Sequence, residues 1–473
     1  MSHAPTRTLQ NPAGIPDRPP AMKSLGRRVL QASAWALLGH GAGQLLRLLS
    51  NLIMTRLLVP EMFGMMSVAW IVMSGMQLLS DMGIRQSIVQ SKRGNDPVFL
   101  GTAWATQILR GGVLWLFGLG VAASVRAAQV LELMPPATVY ADPLLPTVIS
   151  VLAGVAFIGG FESTRIALAD RNLALARVAQ MDILAQIAGV ASMIAWALAD
   201  RSIWALVAGG IVAALARTLL SHLLLPGAND RWIWNADAFR EIIHFGKWIF
   251  LTSVLGFAVN SGDRLLLGGL VDTAALGLYA IAFLIVDAAA LVISKLLGAV
   301  SFPALSEVAR ERPAEFRTAY YRFRLPVDLL ALFAAGMLFA GGDAVVRVLF
   351  DDRYAAAGPI VGILSCSLFF IRYGVTEMCC LALGKPRILS GQIVARGIAL
   401  FTLVPLAFHA FGFTAALWAI ALHRAFSLLP ILHFKLTHGL LDIRRELIVL
   451  PALPLGIAAG AAFTLIAGKF GWT

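Results

Sequence analysis

Four polar residues near the start of the chain, His40, Gln44, Arg47 and Asn51, recur at i, i+4, i+7 and i+11 and so share one face of a helix. They interrupt an apolar run from Val29 to Leu58. A charge facing lipid near mid-bilayer costs several kcal/mol, so this face must look into protein or a water-filled cavity. Further arginines stand inside other apolar segments: Arg110 with Gln107, Arg217, Arg264, Arg372, Arg396, and Arg424 beside His423. The acids at comparable depth are fewer, namely Asp182, Asp263, Asp287 and Glu377. Any one of these charges could simply hold two helices together. As a set they are mostly cationic, and an excess of cationic side chains within a membrane implies an anionic ligand. Guanidinium matches phosphate oxygens with two-point hydrogen bonds. The acids are candidates for carrying a coupling ion, or equally for neutralising a nearby arginine.

Chemistry of other kinds is not indicated. No nucleophile–base pairing, phosphate-cradling glycine loop or zinc-ligand spacing rises above background. Cys366, Cys379 and Cys380 all fall in one apolar segment and have no clustered histidine partners, which excludes a disulfide framework and gives no metal site. A protein that is not an enzyme and uses no cofactor is expected.

The elements that would position these residues follow from composition. Of 473 residues, 59% are hydrophobic and 14% charged, and the mean hydropathy is +0.79. These values belong to an integral membrane protein. A bilayer core takes roughly 20 apolar residues per helical crossing. Apolar segments at 29–57, 62–84, 99–122, 144–165, 174–198, 202–225, 243–270, 273–298, 324–342, 357–384, 388–409, 412–435 and 446–468 predict an all-α, polytopic chain. Residues 1–28, with Pro5, Pro12, Pro16, Pro19 and Pro20, read as a disordered tail.

The net charge of +12 is read through the same frame. Alternate connectors hold most of the Lys and Arg, including Arg27 and Arg28, Arg85 and Arg93, Arg231 and Arg240, and Arg310 to Arg322. That asymmetry places the N-terminus and those loops in the cytoplasm. No basic run is interleaved with aromatics in a soluble domain, so nucleic acid is not an expected partner.

Sliding the chain against itself until Trp35 meets Trp248 aligns the first two segments with the seventh and eighth without gaps. In that register Gly43 meets Gly256, Leu57 meets Leu270, Gly64 meets Gly277 and Ala69 meets Ala282. The polar stripe recurs as Ser253, Phe257, Asn260 and Arg264, with Asp263 adjacent. Both copies run in the same direction, as parallel repeats about an axis along the membrane normal require. The predicted organisation is a tail at 1–28, a six-helix bundle at 29–225, a cytoplasmic linker at 226–242, a second six-helix bundle at 243–436 and an additional transmembrane helix at 446–468. Since the two halves are complete without it, that last helix is expected to be peripheral.

The stretch Leu57-Leu58-Val59-Pro60-Glu61-Met62-Phe63-Gly64, before Asp81-Met82-Gly83-Ile84, is similar to the amino-terminal signature of the polysaccharide transporter family, the Wzx-type oligosaccharide flippases. That family sits within the multidrug, oligosaccharidyl-lipid and polysaccharide (MOP) export superfamily, to which MATE transporters also belong. The run from Asn260 to Gly268, followed by Ala275-Leu276-Gly277-Leu278-Tyr279, resembles the second-half counterpart. The resemblance implies a bacterial inner-membrane protein with two six-helix bundles around a central cationic cavity. It also implies alternating access and an undecaprenyl-diphosphate-linked glycan repeat unit as cargo for exopolysaccharide, capsule or O-antigen synthesis. Membrane lipids, a polymerase and glycosyltransferases of the same pathway would be its partners. Arg47 and Arg264, with Arg110, Arg217, Arg372, Arg396 or Arg424, would hold the diphosphate, while His40, Gln44, Asn51 and Asn260 would line the cavity. Two rivals share parts of the pattern. A MATE-like cation-coupled exporter is disfavoured by the interior arginine excess, and a membrane-embedded glycan polymerase or ligase by the lack of a large outer loop.

Overall fold

A computed structural model describes residues 25–79, 83–91, 93–172, 174–298 and 301–470. Among these residues the regular structure is entirely helical. The reason is the solvent: in a bilayer core every backbone N–H and C=O must be satisfied within the protein, and helices do so within one segment. Among the described residues nine helices are long and apolar enough to cross a membrane, and a tenth if one bent pair counts as a single span. The chain is a polytopic integral membrane protein. Residues 1–24, most of the segment expected to be a tail, lie outside the described residues, and helix already begins at Leu25.

The first half contains α1 (Leu25–Leu57), α2 (Pro60–Leu79), α3 (Ile84–Gln90), α4 (Pro97–Val130), α5 (Leu145–Gly160), α6 (Arg165–Arg171), α7 (Leu175–Ala199) and α8 (Trp204–Leu223). Local signals set several boundaries. Asp96 accepts a hydrogen bond from Val98 N (3.0 Å) and Pro97 takes the first helical position, so α4 starts there. After Gly159 and Gly160 the chain bends by 61° between α5 and α6. The bend frees carbonyls, and Gln107 Nε2 of α4 donates to three of them, on Gly159, Gly160 and Glu162, at 3.0–3.3 Å.

The second half runs through α9 (Ala236–Gly268), α10 (Thr273–Gly298), α11 (Ser301–Glu311), α12 (Phe316–Leu349), α13 (Ala357–Ser365), α14 (Gly374–Ala382), α15 (Pro386–Phe411), α16 (Phe413–Leu422) and α17 (Leu428–Thr437). The chain ends with α18 (Ile443–Leu447) and α19 (Ala452–Lys469). Here two spans are broken by 3₁₀ turns, an eight-residue run at Cys366–Tyr373 and a five-residue run at His423–Ser427. Runs of more than three or four such residues are uncommon and mark strained or movable backbone.

The halves meet along α2 and α10, where the repeat-related Gly64 and Gly277 face one another. A Cβ on Gly64 would lie 2.9 Å from Gly277 N and collide with the Thr273 carbonyl; one on Gly277 would collide with the carbonyl of Pro60. Pro60 and Thr273 are themselves equivalent in the register that pairs Gly64 with Gly277. Each contact thus has its mate across a pseudo-two-fold axis, the self-complementary arrangement of an isologous interface.

One end of the bundle is closed by contacts contributed from both halves, on equivalent turns although the tyrosines that make them are not themselves repeat-equivalent. The 3₁₀ turns Val139–Ala141 and Asp352–Tyr354 occupy equivalent positions in that same register. Tyr140 Oη donates to Leu265 O of α9 (3.1 Å), and Tyr354 Oη donates to Leu58 O just beyond α1 (2.9 Å). Arg353 Nη2 adds bonds to the carbonyls of Thr55 and Arg56, both 3.1 Å. The opposite end carries α3, α6, α11 and α14 together with most of the basic connectors.

The last helix stands at the edge of the bundle: α19 packs extensively, but chiefly against α12, and Leu455, Leu465 and Ile466 remain exposed. Gly456 and Gly460, spaced small-xxx-small, bring it onto Gly336, Met337 and Gly341, leaving no room for a Cβ at either glycine. Glu446 of α18 enters a buried cluster with Arg324, Arg372 and Lys435, which also holds Asp328, Tyr320 and Tyr321. Arg324 is fully buried.

Candidate functional site

Among the described residues a cavity lies in each half. The first, about 920 Å³, is bounded by α1, α2, α3, α4, α5, α7 and α8 and lies toward the basic end. The second, about 410 Å³, is bounded by α9, α10, the 3₁₀ run at 366–373 and the turn at His423–Arg424. They are built on equivalent positions: Arg47, Trp70 and Ser74 line the first, and their repeat counterparts Asn260, Phe283 and Asp287 line the second.

In the first cavity Arg217 is held between two carboxylates, donating from Nη1 to Glu162 Oε1 (2.5 Å) and from Nε to Asp182 Oδ1 (2.9 Å). Glu162 reaches this position because it follows the α5 bend that Gln107 supports. Arg85 of α3 also faces the cavity, with Asp170 paired to it from outside the lining. Arg110 lines the wall on α4. The Arg47 side chain is exposed into the same space and has no hydrogen bond or ion pair to any described residue. Four arginines stand against two carboxylates in the lining, and with Asp170 offsetting Arg85 from outside it the described groups leave one net positive charge.

The second cavity is balanced, with Arg264 and Arg424 against Asp263 and Asp287. Asp263 is buried and accepts a hydrogen bond from Tyr279 Oη. Arg264 lies 3.6 Å from Asp263 and stacks over the Phe283 ring at 4.2 Å. His423 Nδ1 lies 2.6 Å from Ile420 O, and its Nε2 has no partner among the described residues. Asp287 interacts electrostatically with Arg264, Arg424 and Arg47, so the first cavity's free arginine and the second cavity's acid feel one another across the middle of the molecule.

The structure thus divides the residues singled out in the sequence. Arg47, Arg110, Arg217 and Asp182 surround the first cavity; Asn260, Asp263, Arg264, Asp287 and Arg424 surround the second. Arg396 and Glu377 line neither, but both interact with Arg424. Arg372 sits apart, buried against Asp328 (3.0 Å) and Glu446 (3.3 Å) in the cluster that anchors α18. Of the stripe on α1, Asn51 turns back to donate to Arg47 O (2.9 Å), and Gln44 is half-buried outside the cavity lining. The His40 side chain lies outside the described residues. Trp70, Gln86, Glu162 and Gln186 are not signalled by charge periodicity, because they come from four different segments of the chain.

Comparison with known proteins places the chain in a family and a fold. Among curated proteins the chain is 20% identical over 374 residues to the lipopolysaccharide biosynthesis protein WzxC of Escherichia coli (strain K12), covering 77% of this chain and 72% of that one. It is 21% identical over 341 residues to the succinoglycan biosynthesis transport protein ExoT of Rhizobium meliloti (strain 1021), covering 72% and 66%. Among solved structures it superposes on the lipid II flippase MurJ in an inward closed conformation with a TM-score of 0.64, at 10% identity over 94% of this chain and 99% of that one. An inward-facing multidrug resistance MATE family transporter of the MOP superfamily gives 0.63, at 16% identity over 84% and 94%. The profile of the family described as "Polysaccharide biosynthesis protein" matches residues 53–359, well over half the chain and spanning the junction of the two halves, and the protein belongs to that family.

Proposed function

We propose that the protein flips an undecaprenyl-diphosphate-linked oligosaccharide from the cytoplasmic to the outer face of the bacterial inner membrane, for exopolysaccharide, capsule or O-antigen synthesis. The observation that carries this reading is the cationic excess of the first cavity, with Arg47 exposed into it and unpaired among the described residues. A diphosphate's negative charges match that excess in sign, and guanidinium supplies bidentate contacts to its oxygens. The names of the curated relatives, both polysaccharide pathway proteins and one a transport protein, support the same class. The basic end faces the cytoplasm in this reading, so the cavity takes cargo from inside while the tyrosine-sealed end closes the exit. The units 29–225 and 243–436 rock about the α2–α10 axis, joined by the linker 226–242. The lipid tail stays in the bilayer, and no covalent chemistry is performed. A polymerase and glycosyltransferases of the same pathway are its expected partners.

The test uses Arg47→Gln in a strain lacking the native protein. A charge-assisted contact in a low-dielectric cavity contributes about 1.5–3 kcal/mol, so binding of purified protein to undecaprenyl diphosphate falls by roughly ten- to a hundred-fold. Surface polysaccharide falls with it, at normal membrane abundance. Unchanged polysaccharide and unchanged binding would overturn the assignment.

A further inference from the structure

Trp70 is the only aromatic residue in the lining of the first cavity among the described residues. Its side chain remains 38% exposed. The benzo edge of the indole rests on Gly210 of α8, where a Cβ would stand 3.0 Å from Cζ2 and 3.5 Å from Cη2. The absent side chain at 210 is what admits the edge of the ring beside α8. Ser74 and Gln77, at i+4 and i+7 from Trp70, continue the same face of α2 along the cavity.

The equivalent aromatic in the other half is not bare. Phe283 carries the Arg264 guanidinium over its ring, so the second cavity supplies its own cover from within the protein. In the first cavity nothing described plays that part, and the indole faces a chamber whose wall mixes arginine, carboxylate, amide and hydroxyl groups with aliphatic side chains such as Leu114 and Ile183. Leaving the indole against water is unfavourable. A pyranose ring covers it well: the C–H face of the sugar lies on the indole while its hydroxyls meet polar groups at the ring edge. A hydrocarbon chain would cover the indole and the aliphatic residues too, but would leave the arginines and carboxylates of the same wall without polar partners from the ligand.

We propose that Trp70 stacks a sugar ring of the transported glycan, with Ser74 and Gln77 at the hydroxyl edge, so that α2 forms a glycan subsite beside the diphosphate arginines. This rests on the flippase reading above and adds that the protein recognises sugar as well as lipid diphosphate.

Purified protein in nanodiscs is titrated with two probes, undecaprenyl diphosphate and the same lipid bearing one glucose. The wild-type protein binds the glucosylated probe more tightly. Trp70→Leu weakens binding of the glucosylated probe about ten-fold and leaves the sugarless probe unchanged, whereas Trp70→Phe, which keeps an aromatic face, retains most of the affinity. Thermal unfolding of Trp70→Phe confirms that the cavity wall is intact. Equal loss for both probes, no loss for either, or equal affinity of the wild type for both would overturn the proposal. Failure of the diphosphate reading is seen separately, as indifference of both probes to Arg47→Gln.

Discussion

At two pairs of repeat-equivalent positions the halves carry opposite charge: Arg47 and Ser74 in the first, Asn260 and Asp287 in the second. The first half therefore has a cation and no acid where the second has an acid and no cation. Around these positions the first cavity is large and positively charged, while the second is less than half its volume and neutral. The backbone differs as well: among the described residues the long helices of the first half are broken at the α5 bend, whereas the second half is interrupted by two 3₁₀ runs. In the proposed function the duplicated scaffold separates two tasks, the first half presenting a guanidinium unpaired among the described residues to the ligand and the second keeping its charges in mutual contact.

The largest effect that would sharpen this contrast comes from the cluster found only in the second half. Glu446→Ala leaves Arg324, Arg372 and Lys435 with Asp328 as the one remaining acid of the cluster. Breaking a buried pair this way costs about 3–5 kcal/mol. Loss of folded protein is expected in detergent thermal unfolding, and truncation near Leu436 acts likewise. A well-folded truncated chain would show that α18 and α19 are dispensable after all.

A middling effect is expected at the axis. Gly64→Ala and Gly277→Ala each drive a methyl group into backbone of the other half, costing about 1–3 kcal/mol through overpacking. Because the contacts are mates, the two losses in stability should be nearly equal; a wide difference would break the pseudo-symmetry.

The smallest expected change in stability separates the cavities themselves. Arg264→Gln removes the cover from Phe283 and a partner from Asp263, lowering stability by about 1 kcal/mol. Arg47→Gln removes no hydrogen bond or close ion pair with a described residue, only the longer-range attraction to Asp287, and leaves the unfolding temperature nearly unchanged. Equal destabilisation by both would show that Arg47 is also structurally engaged.

Much of this architecture is readable from residue order. The apolar segments fall on helices or runs of helices, and the register that aligns Gly64 with Gly277 joins residues that touch. Hydropathy identifies spans because burial in lipid acts on every residue of a segment together. The edge position of the last helix follows from counting halves, but its close seat on α12 does not; Gly456-xxx-Gly460 is the signal for that packing. The cavity lining is only partly legible. Depth in a span shows that a charge needs company, but not which company, so Arg372 and Arg47 look alike in the sequence although one is fully engaged and the other exposed. Trp70 cannot be distinguished there from other interior aromatics, since its placement depends on Gly210, six helices later.

The sealed end has one more implication. Tyr140 grips the far end of α9 and Tyr354 the chain just past α1, each half clasping the other. Under the rocking motion proposed above, both bonds stand between this end and its opening, because each ties one half to the other. Loss of either clasp then shifts the balance toward the open form of the whole molecule rather than loosening one half of it.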